Sequence, residues 1–262
     1  MAKNVVFFDW KLNQNDPVIS TFISYGKQLK VRMPDMHSAI HLGIIRTGEN
    51  CGIFGRDELN LSAGAIYLTA PWEPHYTEKS SGAELLLITL DARSLEDFFC
   101  SCPENLTALL RMPPAQRMEH INRKNIPPAC LEKIIRFAGD QQSPRQKLRL
   151  WHAVLEFFME TVPEQPEKIP QNDDYCRLLP VLEKLGSKMI TLNDAARICN
   201  LSTSRFSALF KNFSGLSFGK YERNFRLNGA AGDIRRGATI KEAAERWDFC
   251  DKSHLSRLLK NF

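Results

Sequence analysis

Arg205 and Lys211 on one short segment, and Lys252, Arg257 and Lys260 on another, are the side chains in this chain best suited to contacting a nucleic acid. A guanidinium can donate two hydrogen bonds to guanine O6 and N7, and cationic side chains neutralise backbone phosphates. The two segments are copies of each other. Phe206-Ser207-Ala208-Leu209-Phe210-Lys211-Asn212-Phe213 returns 49 residues later as Leu255-Ser256-Arg257-Leu258-Leu259-Lys260-Asn261-Phe262, with five of eight positions identical. Read as helices over 203–211 and 252–260, they direct Ser204, Arg205, Ser207 and Ala208 from the first copy, and Lys252, Ser253, Ser256 and Arg257 from the second, toward base edges. Lys211 and Lys260 lie at the helix ends, where they suit phosphate contact or capping. Ala208 stands in the register of Arg257 and can touch at most a thymine methyl, so hydrogen-bond readout is expected to rest mainly on the second copy.

A helix presents such a face only when a second element holds it, and the residues upstream repeat as well. Leu192 to Ser202 and Ile240 to Cys250 place small residues in register at Ala196 and Ala244, where two helices could cross closely. Asn200 and Asp248 follow at the turn, and both types tolerate positive φ. Leu201 and Phe249 would plug the small core beneath it, and the second turn is one residue longer. Helix, tight turn and basic amphipathic helix make a helix-turn-helix, and two such units can reach successive major-groove faces of one duplex. An accidental match of amphipathic helices would not be expected to repeat its turns.

Charge is divided in the same way. Residues 172–262 carry 16 Lys and Arg against 10 Asp and Glu, while the remainder carries 19 against 20, so the net of +5 comes from the repeat region. Double-stranded DNA is the partner this favours. The 262 residues suit two domains. Seven scattered cysteines with no Cys-x-x-Cys suggest reduced thiols in the cytoplasm. The strongest apolar run, Leu85 to Leu90, is too short to span a bilayer and reads as a buried strand, so no membrane association is expected.

The first hundred residues carry a second set of chemically capable side chains, His37, His41 and His75. Histidines with a carboxylate such as Glu49 or Glu73 can hold a metal, but His37 and His41 are separated by three residues rather than the one of a side-by-side ligand pair, which argues against a metal, although a regular strand would still put both on one face. No metal, cofactor or catalytic group is expected, since no Ser-His-Asp order, phosphate loop or paired carboxylates stand out. The same histidines with Trp72 and Tyr76 offer aromatic surface and a few polar groups, suited to a small-molecule cavity, or the two aromatic side chains simply cover a barrel mouth. Short runs at Val5–Phe8, Phe22–Tyr25, Leu42–Arg46, Ile53–Phe54, Ala65–Thr69 and Glu84–Leu90, separated by turn residues, predict a β-rich barrel or sandwich.

Between the two regions, Leu148, Trp151, Val154, Leu155, Phe158 and Met159 form an apolar stripe at helical spacing, preceded by a helix near 131–138. The stripe must be covered by a partner or by the chain itself. Pro163 to Asp174, with three prolines and few apolar residues, reads as a linker.

Ser202 to Lys211, Ser214-Gly215-Leu216-Ser217-Phe218-Gly219-Lys220-Tyr221, Arg226-Leu227, Ala230 and Ser253-His254-Leu255-Ser256-Arg257 resemble the AraC/XylS family of bacterial transcription regulators over roughly residues 172–262. His37 to Gly48 and Leu61 to His75 are similar to that family's cupin sensor domain. The resemblance implies an α+β fold with a cupin-like β-barrel at 1–105, helices at 106–162, a linker at 163–174, and an all-α domain at 175–262 whose two helix-turn-helix units are joined by a linker helix. It also implies a small effector such as a sugar, an aromatic or fatty acid or a bile-type amphiphile, or in some members a partner protein. A helix pair forming a homodimer through Leu148, Trp151, Leu155 and Phe158 would follow, as would RNA polymerase as a partner. The alternative class is a cupin metalloenzyme with a fused helical module. There are three departures: Asp248 replaces the usual turn Gly, the linker helix carries Gly229 and Gly232, and the second copy reaches Phe262 without the Gly-containing segment that follows the first, which is expected to reduce DNA affinity. Each mid-helix Gly costs about 1 kcal/mol relative to Ala, so a weakened linker helix is expected.

Overall fold

The structure, a computed structural model, describes residues 12–25, 35–124, 126–139, 143–186 and 188–260. The expected strand at Val5–Phe8 lies outside them. The described residues divide into two compact units, one of 12–25 with 37–172 and the other of 35–36 with 173–260.

The first unit is built on a five-stranded antiparallel sheet. Its strands are β1 (Val18–Ser24), β2 (Ile40–Phe54), β3 (Asp57–Ser62), β4 (Ile66–Leu68) and β5 (His75–Leu90). β5 lies between β1 and β2, while β3 and β4 share the other edge of β2. Ile40–Ile45 and Leu85–Leu90 are buried without alternation, the pattern of strands covered on both faces. One face holds Ile45, Phe54, Leu61, Tyr67, Leu85 and Leu87, closed by Met118 from a helix.

The β2–β5 ribbon curls back on itself. His41 pairs with Thr89 at one end and Phe54 with His75 at the other, and a straight strand would hold residues 41 and 54 roughly 40 Å apart. Yet the rings of His41 and His75 lie 5.1 Å apart. Register shifts between Ile45 and Thr47, Thr47 and Glu49, and Cys51 and Gly52 mark the irregularities that accompany the curl. Gly43 admits the Tyr67 ring where a Cβ would stand 2.1 Å from it, and Tyr67 then reaches Phe54 with 5.2 Å between ring centres.

Helices α1 (Ala92–Phe98), α2 (Pro103–Arg111), α3 (Pro114–Arg123), α4 (Pro128–Phe137) and α5 (Pro144–Thr161) follow. They begin about fourteen residues before the expected boundary at 106. α3 docks on the short edge strand β4, where Asn122 Oδ1 accepts from the Ile66 amide at 3.0 Å and its Nδ2 donates to the Ile66 carbonyl at 2.7 Å. A side-chain amide thereby satisfies an edge that would otherwise be exposed. α5 starts with a Ser143–Gln146 capping box and packs against α4 and β1.

The second unit comprises α6 (Asp173–Leu182), α7 (Leu192–Ile198), α8 (Thr203–Ser214), α9 (Phe218–Arg235), α10 (Ile240–Arg246) and α11 (Lys252–Lys260). Local signals set these boundaries. Thr191, Ser202 and Thr239 cap α7, α8 and α10 through their hydroxyls, Thr239 with Glu242 in a capping box, and Gly215 ends α8 at φ 75°.

Candidate nucleic-acid interface and buried histidine cluster

The two copies predicted from sequence share one local geometry. Asn200 and Asp248 adopt φ of 53° and 58°, as the turn requires. The next amide then donates back in the same way, Leu201 to the Ala196 carbonyl and Phe249 to the Ala244 carbonyl, both at 2.9 Å. Ala195, Ala196, Ala243 and Ala244 are buried where the helices cross. The extra residue of the second copy is accommodated after this shared turn, before α11.

On α8, Ser204, Arg205, Ala208 and Lys211 are exposed and Ser207 is half-buried; on α11, Lys252, Ser253, Arg257 and Lys260 are exposed and Ser256 is half-buried. These residues face solvent because the opposite helical stripes are consumed by packing. Phe206, Phe210 and Phe213 are buried on α8, and Leu255 on α11. The exposed sides are polar and basic, a surface able to meet phosphates and base edges.

Sequence reasoning missed how α9 fastens the second unit. The buried Arg226 guanidinium donates to Glu222 at 2.6 Å, to the Trp247 carbonyl at 2.9 Å and to the Asp248 carbonyl at 3.0 Å, and lies 4.7 Å from the Phe249 ring centre. Asp233 accepts from Arg236 at 2.6 Å, Arg246 at 2.8 Å and the Trp247 indole N–H at 2.9 Å. Burial pushes the Asp233 carboxyl upward, but these donors outweigh it and hold it below its ordinary value. Gly229 makes room for a neighbour: a Cβ there would stand 2.1 Å from the Trp247 ring. The helix surrenders propensity at this position so that the second unit can pack directly on its backbone.

In the first unit, His37, His41 and His75 converge although they come from three places in the chain. His41 is held on β2, its amide donating to Thr69 Oγ1 and its carbonyl accepting from the Thr69 amide, both at 2.9 Å. His75 opens β5, and His37 precedes β2, where its carbonyl accepts from the Trp72 amide at 2.6 Å. Ring centres are 4.4 Å apart for His37 and His41, and 5.1 Å for each of them to His75. All three are buried, at 2%, 4% and 8% exposure. Burial and the neighbouring imidazoles lower the basicity of His41, and burial with His75 lowers His37 to about 3, so these two rings are neutral at ordinary pH.

The loop that delivers His75 is clamped. Trp72 holds φ at 63°, a conformation rare for a bulky residue. The fully buried Arg117 pairs with Glu73 and donates to the carbonyls of Leu68 at 2.9 Å, Leu110 at 2.8 Å and Met112 at 3.2 Å. Glu73 also accepts from the Ala70 amide at 3.2 Å, and its own carbonyl lies 2.8 Å from His75 Nδ1. Neither Arg117 nor the role of Glu73 was legible in the sequence, which has no local signal for a buried long-range ion pair.

A comparison with protein families matches residues 195–262 to the helix-turn-helix domain family. The described residues of this stretch form the two helix-turn-helix units. A comparison with curated proteins finds no match. Among solved structures, ToxT of Vibrio cholerae O395 bound to (E)-4-(8-methylnaphthalen-1-yl)but-3-enoic acid is similar in fold, at 12% identity and TM-score 0.52, covering 93% of this chain and 94% of that one. Unsaturated-fatty-acid-bound ToxT from Vibrio cholerae strain SCE256 gives TM-score 0.49 at 11% identity, covering 100% and 93%. An RmlC-like cupin from Shewanella frigidimarina gives TM-score 0.26 at 20% identity over 32% of this chain and 72% of that chain.

The structure separates the candidate effector residues. Trp72 is buried in the loop beside the histidines. Tyr76 does not join them, because successive strand residues point to opposite faces; it pairs with Ile53, itself opposite Glu58, on the outer side. His37 and His41 do not sit on one strand: His37 precedes β2, and the three histidines meet from separate parts of the chain. Neither of the two carboxylates considered beside these histidines joins them, since Glu49 is exposed and Glu73 is engaged by Arg117. A surface cleft of about 440 Å³ beside α3, lined by Met112, His120, Arg123 and Lys124, includes none of the expected effector residues.

The expected dimer stripe is largely consumed within one chain. Leu155 and Phe158 are buried and Trp151 is half-buried, so α5 spends these residues on α4 and the sheet; Leu148 remains 68% exposed and Met159 52%. All seven cysteines are unbridged, and among the described residues no helix is long and apolar enough to cross a membrane.

Proposed function

We propose that this chain is a cytoplasmic, sequence-specific DNA-binding transcription regulator whose sheet-bearing unit receives the controlling signal. The observation that carries this reading is the pair of structurally equivalent helix-turn-helix units, each presenting an exposed basic helix. Ser204, Arg205, Ser207, Ala208 and Lys211 supply one contact surface, and Lys252, Ser253, Ser256, Arg257 and Lys260 the other. A small molecule acting near His37, His41, Trp72 and His75 is the favoured signal, supported by the fold likeness to ToxT, which has been seen with an aromatic butenoic acid bound. The packed inner face of the sheet favours a second reading, in which a partner protein replaces the organic effector. Homodimerisation through the exposed end of α5 and contact with RNA polymerase complete the proposal.

The test is footprinting of genomic fragments retained by the purified chain. Two protected major-groove segments about 10 base pairs apart on one face are expected, and protection of a single segment would refute two-unit reading. Arg257→Ala is expected to relax preference at one base position and to cost about 1–3 kcal/mol of specific binding. An equal loss on all sequences would instead assign Arg257 to phosphate.

A further inference from the structure

His75 Nε2 is buried without a hydrogen-bond partner, while Nδ1 lies 2.8 Å from the Glu73 carbonyl. With Nδ1–H donating to that carbonyl, the tautomer is fixed and the Nε2 lone pair is directed away from the loop. One nitrogen from each of His37, His41 and His75 lies within 4.8 Å of the other two. We propose that these three imidazoles form a binding site for one divalent ion of the zinc, cobalt or nickel type.

The geometry is close to what such an ion needs. Zinc–imidazole bonds of about 2.0–2.1 Å in a tetrahedral site place ligand nitrogens roughly 3.3 Å apart. Starting from 4.8 Å or less, each nitrogen needs to move inward by under about 1 Å, within reach of small side-chain rotations. The donor set selects the class of ion. Imidazoles without a free carboxylate suit zinc and its neighbours rather than magnesium, calcium or manganese. Three protein ligands leave a fourth position for water or a small anion.

The surroundings resemble those of an ion site as well. A ligating histidine commonly donates its other ring N–H to a carbonyl, and here that carbonyl belongs to the residue clamped by the buried Arg117. The ligands come from before β2, from the start of β2 and from the start of β5, so the ion would staple together the two ends of the curled ribbon. This site does not depend on the regulatory reading: loss of DNA selectivity would leave it standing, and absence of the ion would leave the DNA-binding units untouched.

The experiment uses the full chain, stripped with chelator and titrated with zinc and then cobalt(II). One tightly retained equivalent is expected, with the visible bands of a tetrahedral cobalt site and no thiolate-to-cobalt charge transfer, and with X-ray absorption reporting three imidazole ligands. His41→Asn and His75→Asn should each lower retention at least tenfold, while His152→Asn, at a side chain 73% exposed, should leave it unchanged. The proposal is overturned if the unaltered chain retains no stoichiometric ion, if the cobalt spectrum shows thiolate ligation, or if the folded cluster variants retain the ion. Circular dichroism establishes whether the variants fold; should they not, the ligand count from the unaltered chain decides.

Discussion

The two helix-turn-helix units have the same turn and the same exposed basic helix, but they are held in place by different forces. The first rests on a packed aromatic core, in which Phe210 contacts Phe206, Phe218 and Tyr221 with ring centres 5.8, 5.1 and 5.5 Å apart. The second has a core of small residues, Ala230, Ala243 and Ala244 with Leu227, Phe249 and Leu255. It makes up the difference through directional bonds from α9, by way of Arg226 and Asp233. A repeated sequence therefore specifies a repeated shape without specifying a repeated source of stability. Dispersion and area burial serve the unit rich in phenylalanine, while charged hydrogen bonds serve the unit that buries less.

The largest test of this contrast is Phe210→Ala, which removes a fully buried ring and should cost about 3–5 kcal/mol. Amide exchange should show the loss concentrated in α7 and α8; equal loss in α10 and α11 would mean that one core serves both units. Asp233→Asn comes next. It weakens three donors' acceptor and should cost about 1–3 kcal/mol, felt mainly in α10 and α11. Because the native Asp233 carboxyl is held below its ordinary value, its contribution is fully present above the unfolded carboxylate range near pH 4 and disappears as pH falls through the depressed native value. Thermal unfolding followed across that range should lose part of its pH dependence in the variant; an unchanged profile would remove Asp233 from the account. The smallest effect is Gly229→Ala. Displacing the Trp247 ring costs about 1–3 kcal/mol, offset by about 1 kcal/mol of helix propensity, so a net loss of about 1 kcal/mol with a shift in Trp247 fluorescence is expected. A gain in stability would show that Trp247 yields freely.

The same contrast explains what could be read in advance. Capping residues, positive-φ turns and amphipathic helices are fixed by interactions within a few residues, so both helix-turn-helix units and their exposed faces were legible. The strands were legible only where they are apolar. β3, with the sequence Asp-Glu-Leu-Asn-Leu-Ser, and the polar first half of β5 were missed because cross-strand pairing, and not burial on both faces, holds them. The α5 stripe was visible, but periodicity does not say which neighbour covers it.

By itself the sequence determined two copies of a helix-turn-helix unit, their basic character and the β-rich character of the N-terminal region, because each follows from local propensity or from composition. Tertiary structure alone decided that Gly229 is a seat for Trp247, that Glu73 belongs to Arg117 rather than to the histidines, and that His37, His41 and His75 meet. That meeting depends on the closure of a ribbon whose paired strands bring together residues more than thirty positions apart, and no spacing along the chain encodes it.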